Sequence, residues 1–203
     1  MPKLTAIRKQ ALDEMMREAI FEATVAVLAE HGVEGLTMDR VAAAAVVAKG
    51  SLYHYFPGKQ ALLEFVYAKI IDPIHHDLLD IVASALPAIE KLATHLDNLL
   101  GHVAKHSRVF KLLFQDDTVQ GLLQSSQRRT REAGCRVLAE IFQQGIAEGV
   151  FRHADPLLLA YMFLGLCTGV FDTQPDFGKH DERERIQRLI MSAFLNGVAA
   201  QHG

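Results

Sequence analysis

Lys49, Gly50, Ser51, Tyr53 and His54 fall within one short run of the chain and combine a cation, a residue without a side chain, two hydroxyls and an imidazole. Presented by one helical turn or two, such a set can read a DNA major groove. The lysine reaches a phosphate or a guanine edge, the hydroxyls donate or accept at base edges, and the glycine lets the backbone come close. A second reading is open on the same residues, because any small helical bundle carries short helices with surface lysine and tyrosine.

The elements that must position these groups lie in residues 37–59, TMDRVAAAAVVAKGSLYHYFPGK. Thr37 suits an N-cap, since its hydroxyl can accept an unpaired first-turn N–H. Val41, Ala44 and Ala45 then repeat at helical spacing. A turn leads to a second short helix over about 48–53, ended by Tyr55, Phe56 and Pro57. Upstream, Ile20, Ala23, Val27 and Leu28 form the stripe of a helix over 15–30, and Gly32 follows as a residue able to take positive φ. That helix is expected to pack across the two short ones, with Phe56 as a buried peg.

The run AKGSLYHYFPGKQALL, preceded by LTMDRVA and by a helix ending at Gly32, resembles the DNA-binding domain of the TetR family of transcriptional repressors, over residues 20–63. The resemblance implies that Lys49, Gly50, Ser51, Tyr53 and His54 face the groove and that Thr37, Tyr55 and Lys59 contact phosphates. The chain departs from the family at the turn. Val46 stands where glycine is usual, and Ala48 where serine or threonine is common. Positive φ at Val46 would cost roughly 1–2 kcal/mol, and a lost hydroxyl cap about 1 kcal/mol. A different turn conformation, or a less firmly held reading helix, is therefore expected.

Beyond the motif the patterns remain helical, with no strand-like alternation and no internal repeat. Lys59 opens a long helix whose apolar spacing continues past Pro73, where either a kink or a fresh start capped by Asp72 is expected. Further helices are expected from Pro87 to about 104, over 107–114 and 119–147, from Asp155 and Pro156 to about 171, and over 181–200 after a loop with Pro175 and Gly178. The fold class is all-α with about nine helices: an N-terminal helix-turn-helix DNA-binding domain of three helices (1–58, with a basic arm over 1–14 whose first dozen residues are mobile and become helical) and a C-terminal helical ligand-binding and dimerisation domain (59–203). The resemblance extends to that second half through helix order more than through particular residues.

Composition narrows the function. At 203 residues and 50% hydrophobic content the chain can bury a substantial core, and charges interrupt every apolar stretch before it reaches membrane-spanning length. Asp13 and Glu14 break the apolar run that a signal peptide needs. A cytoplasmic, bacterial protein is expected. The net charge of −3 excludes a strongly basic DNA-coating protein; positive surface must be local, which predicts a modest salt dependence per subunit. Cys135 and Cys167 read as reduced core thiols, with a redox switch as the second reading, for which no nearby cationic cluster argues.

In the last two helices, Ile186, Leu189, Ile190, Ala193, Phe194 and Gly197 recur at helical spacing, and Gly165 and Gly169 lie one turn apart. They face either their own core or a partner. In the TetR family these helices pair across a two-fold axis, so the resemblance implies a homodimer through these eight residues. For a small-molecule effector the candidates are Phe110, Phe114, Phe142, Tyr161, Met162 and Phe163, with His102 and His106, set around one largely apolar cavity. His95, His102 and His106 share an arc of about 40° on one helix, which reads as a polar edge, as an effector contact, or as part of a metal site that lacks acidic or cysteine ligands at fixed spacing. No cofactor and no metal are expected. No catalytic motif is present, and Asp116–Asp117 reads as a helix cap.

The expected function is that of a homodimeric repressor on a palindromic double-stranded DNA operator, with half-sites about one helical turn apart or a multiple of it. A small, largely apolar effector would release it by tilting the helix that begins at Lys59, with Pro73 as hinge. The competing expectation is a ligand- or partner-binding protein of the same fold with weakened or lost DNA readout.

Overall fold

The computed structural model describes residues 2–171, 173 and 177–198. Among them are nine helices and no strand: α1 (Pro2–Gly35), α2 (Met38–Ala44), α3 (Lys49–Tyr55), α4 (Lys59–Ala83), α5 (Ala88–Lys105), α6 (Ser107–Gln115), α7 (Asp117–Ala147), α8 (Pro156–Phe171) and α9 (His180–Val198). Pro175 and the expected end of the last helix near 200 lie outside the described residues.

Helix starts follow the capping chemistry. The Arg40 N–H donates to Thr37 Oγ1 at 3.2 Å at the head of α2. Asp116 Oδ1 accepts from the Val119 N–H at 3.1 Å, and Asp155 Oδ1 from the Leu157 N–H at 2.8 Å. Pro87 is the N-cap of α5. Two expectations are narrowed. From Pro2 on, the arm is the continuous start of α1, since nothing between Pro2 and Gly32 breaks a helix; Ile7 and Leu12 on it are exposed. Pro73 sits inside an unbroken α4, so no new helix begins at Asp72.

The chain forms two compact units: residues up to Lys69 with Arg108–Gln124, and Ile70–Ser107 with the residues from Ser125 on. Helices α4 and α7 each contribute to both. In the first unit Ile20, Val41, Leu52, Leu62, Leu63 and Leu113 are fully buried. The rings of Phe110 and Phe114 stack at 4.3 Å, and Tyr67 lies 5.9 Å from Phe114. In the second unit the Phe142 ring lies 5.6 Å from Phe151, 5.5 Å from Phe194 and 6.2 Å from Phe163. A side chain at Gly145 would collide with Phe151, so the glycine makes room for this cluster.

Lys91 is buried, and its ammonium donates to Val82 O at 2.7 Å and Gln144 Oε1 at 2.9 Å. Glu148 in turn accepts from the Ala88 N–H at 3.1 Å. These bonds satisfy the buried cation and the start of α5 together.

Candidate nucleic-acid interface

The turn between α2 and α3 keeps the left-handed geometry despite its sequence. Val46 has φ of 56°, the only positive φ at a non-glycine position among the described residues. The Val47 N–H donates to Ala42 O at 3.0 Å and the Val46 N–H to Ala43 O at 3.2 Å. That pair of bonds is the Schellman arrangement, which requires a left-handed residue just past the helix end. The expected alternative turn is therefore not adopted, and Val46, 91% exposed, carries the strain. Ala48 is the extended N-cap of α3 and offers no side-chain bond.

Helix α3 is held from below and open above. Leu52 is fully buried and Phe56 nearly so, while Lys49, Gly50, Ser51, Tyr53 and His54 are exposed. The Phe56 ring packs 4.8 Å from Phe65, and the Arg17 guanidinium lies between 5.6 and 5.9 Å from the rings of Tyr55, Phe56 and Phe65. Lys69 Nζ, paired with Glu18 at 2.6 Å, ties α1 to α4. The five groove-facing candidates thus share one exposed surface on a packed support. A Cβ added at Gly50 would meet nothing within 4 Å, so the protein's own packing does not demand glycine there.

Several contacts escape sequence reasoning. Lys49 Nζ pairs with Asp39 Oδ1 at 2.5 Å, and this bond pushes the lysine pKa up. The Tyr55 hydroxyl donates to Asp13 Oδ1 at 2.8 Å, which raises its pKa as well. Lys59 Nζ donates to Val33 O at 2.7 Å, closing the end of α1. Arg40 donates to Gly35 O at 2.8 Å. The groups expected to meet phosphates are therefore engaged within the protein when DNA is absent.

The remaining candidates divide. Ile186, Ile190 and Phe194, expected at a dimer interface, are buried within their own chain, because that edge of α9 packs inward. Leu189 is 60% exposed, and Ala193, Gly197, Gly165 and Gly169 are exposed too. Tyr161 and Met162, expected in a cavity with Phe142, lie instead on the outward face of α8, opposite Phe163. Phe110 and Phe114 belong to the first unit, and Phe142 and Phe163 to the second. His102 Nε2 is 2.8 Å from Asp77 Oδ2, His106 is the C-cap of α5, and His95 is buried. Among the described residues no group of three or more His, Cys, Asp or Glu could hold a metal ion, and no helix is long and apolar enough to cross a membrane.

Residues 20–66 match the bacterial regulatory proteins of the tetR family, and residues 85–198, more than half of the chain, match the tetracyclin repressor-like C-terminal domain. The chain belongs to the TetR family. It is similar to the HTH-type transcriptional repressor KstR2 of Mycolicibacterium smegmatis, at 25% identity over 190 residues and 92% of each chain. The HTH-type transcriptional repressor SCO4008 of Streptomyces coelicolor is 29% identical over 143 residues, 70% of this chain and 71% of that one. Among solved structures, the ketosteroid transcriptional regulator KstR2 of Mycobacterium tuberculosis has the same fold, with a TM-score of 0.69 at 23% identity over 91% of this chain and 95% of its own. The protein is thus a TetR-family transcriptional regulator, and α2 and α3 are its helix-turn-helix.

Proposed function

We propose that this TetR-family regulator is a homodimeric, cytoplasmic repressor that occupies a palindromic operator and leaves it when a small, largely apolar effector binds. The observation that carries the DNA half is Gly50. Glycine weakens a helix, the fold leaves open space above this one, and a surface that must approach a base edge or phosphate accounts for it. Lys49, Ser51, Tyr53 and His54 face the groove, where Lys49 reaches a phosphate at its edge, and Thr37, Tyr55 and Lys59 meet the backbone. Tyr55 and Lys59 do so by exchanging Asp13 and Val33 O for phosphate oxygens.

The dimer half rests on α8, which is apolar on every side. Its inner face (Leu159, Ala160, Phe163, Cys167) is buried, while Leu157, Leu158, Tyr161, Met162 and Leu166 are between 37% and 57% exposed around Gly165. A helix that is hydrophobic all round requires cover on both faces. Leu189, Ala193 and Gly197 of α9 add a second exposed strip, and added side chains at Gly165, Gly169 and Gly197 would meet nothing in the single chain. A second copy of the chain fits this surface. Leu158→Glu is expected to turn a dimer into a monomer in sedimentation.

Effector coupling follows from α4 and α7, each continuous from one unit into the other. A tilt imposed in the second unit changes the reading head carried by the first, so an effector that prefers the tilted state lowers DNA affinity by linkage. The test is a mobility shift with the protein's own upstream DNA. Retarded bands at low salt that disappear with effector support the reading. No shift from dimeric, effector-free protein favours a TetR-fold binding protein that has lost DNA readout.

A further inference from the structure

We propose that His95 is the polar anchor of the effector site, and that it receives an uncharged hydroxyl or carbonyl oxygen on an otherwise apolar molecule. The proposal rests on the effector-responsive reading above and names the chemistry of the ligand.

Among the described residues, His95 Nδ1 is the one buried side-chain nitrogen or oxygen without a hydrogen-bond partner. The residue is 5% exposed, on the inward face of α5 among Leu92, Leu96 and Leu99. Other polar side chains of α5 have partners. His102 Nε2 and Asn98 Nδ2 both approach Asp77 Oδ2 of α4, at 2.8 and 3.5 Å. Lys91, one turn before His95, is bonded to Val82 O and Gln144 Oε1. A buried polar atom left over in a wall where its neighbours are paired marks a place that a ligand or a bound water completes.

The surroundings select the ligand's charge. Burial holds the imidazole neutral, with its pKa lowered to about 4, so at neutral pH it offers one donor and one acceptor, and its tautomer can suit a carbonyl or a hydroxyl. A carboxylate arriving here would bring a second negative charge into the field of Asp77, which already acts on His95, in a region of low dielectric. An ammonium would be drawn by Asp77 but would surrender its hydration to leucines for one neutral acceptor. A neutral oxygen incurs neither cost.

The test uses the full chain and matched probes: decane, biphenyl and androstane skeletons, each carrying a hydroxyl, a ketone, a carboxylate or an amine. Binding is read by thermal shift and by titration calorimetry. The neutral member of at least one skeleton should bind about tenfold or more tighter than its acid and amine, as a site built to hydrogen-bond a neutral oxygen discriminates. His95→Leu should weaken that probe about tenfold, the scale of one buried hydrogen bond, and His95→Gln should restore part of the loss. If His95→Leu does not fold, the His95→Gln comparison decides alone, and unchanged affinity there overturns the proposal. Tightest binding of an acid or amine, no neutral probe bound, or a His95→Leu protein with higher melting temperature and undiminished binding (the result for a histidine that holds only water) overturns it too. Operator binding by the wild-type protein without probe is measured in parallel. Its absence would sink the repressor reading while leaving the probe result to judge His95.

Discussion

Replacing Val46 by glycine tests the cost of the turn directly. The residue sits at φ 56° and is 91% exposed, so removing the side chain deletes almost no packing. Both bonds of the turn, Val46 N–H to Ala43 O and Val47 N–H to Ala42 O, are made by backbone and survive the change. What remains is conformational. A β-branched residue in the left-handed region carries about 1–2 kcal/mol of strain, and glycine loses about 0.4–1 kcal/mol more in unfolded-chain entropy. The net gain is about 1 kcal/mol, which for a chain of this size raises the melting temperature by about 2–4 °C. Val46→Ala should recover only a minor part, because alanine keeps the Cβ that clashes. Since the turn is formed in the free protein, operator affinity should stay within about twofold: a competent state already populated gives a ligand nothing to gain. An unchanged or lower melting temperature for Val46→Gly, or an equal gain from Val46→Ala, refutes the assignment of strain to the left-handed backbone.

Three further outcomes follow from the geometry. Gly50→Ala should fold at least as stably as the wild type, since the added methyl meets nothing and alanine favours the helix by up to about 1 kcal/mol. It should bind operator about tenfold or more weakly in fluorescence anisotropy if the backbone there approaches a base edge; full affinity would remove Gly50 from the interface. Asp39→Asn frees Lys49 from its ion pair, so affinity for operator and for unrelated DNA should both rise at low salt, with the slope of log K against log salt steeper by about one per subunit. An unchanged slope would place Lys49 off the phosphates. For His95, the folded pKa of about 4 lies below the ordinary value of 6.5, so the unfolded chain binds more protons between these values. The stabilisation is full above about pH 6.5, falls as pH drops towards 4, and amounts to about 3 kcal/mol over that window. Urea melts of wild type and His95→Gln at pH 7.5 and 5 should therefore show the wild type losing more stability on acidification.

The helices were legible because their signals are local. Thr37, Asp116 and Asp155 cap where a short oxygen-bearing side chain precedes an apolar repeat, and the TetR-like run carries its own register, so the exposed set on α3 follows once Leu52 and Phe56 are buried. Which way an apolar stripe turns is not local. Along α9, Ile186, Ile190 and Phe194 lie on one edge of the stripe and Leu189 and Ala193 on the other; spacing places all five on one broad face, and only packing in three dimensions sends the first edge inward and leaves the second outside. On α8 both faces are apolar, so periodicity could not separate Tyr161 and Met162 from Phe163.

The partners of the groups proposed to face DNA were hidden for a related reason. Asp13 and Tyr55 are 42 residues apart, Val33 and Lys59 are 26 apart, and no pattern in one helix announces an acid or a carbonyl in another. Those partners bear on what the head does. Asp39 holds Lys49 at the first position of the reading helix, so a phosphate must compete with a carboxylate already in place. Competition of that kind lowers affinity for every DNA sequence alike, whereas a correct base contact adds only at the operator. The acid would therefore weaken the background that a repressor must escape to find its site, in a chain whose net charge of −3 adds no general attraction to DNA.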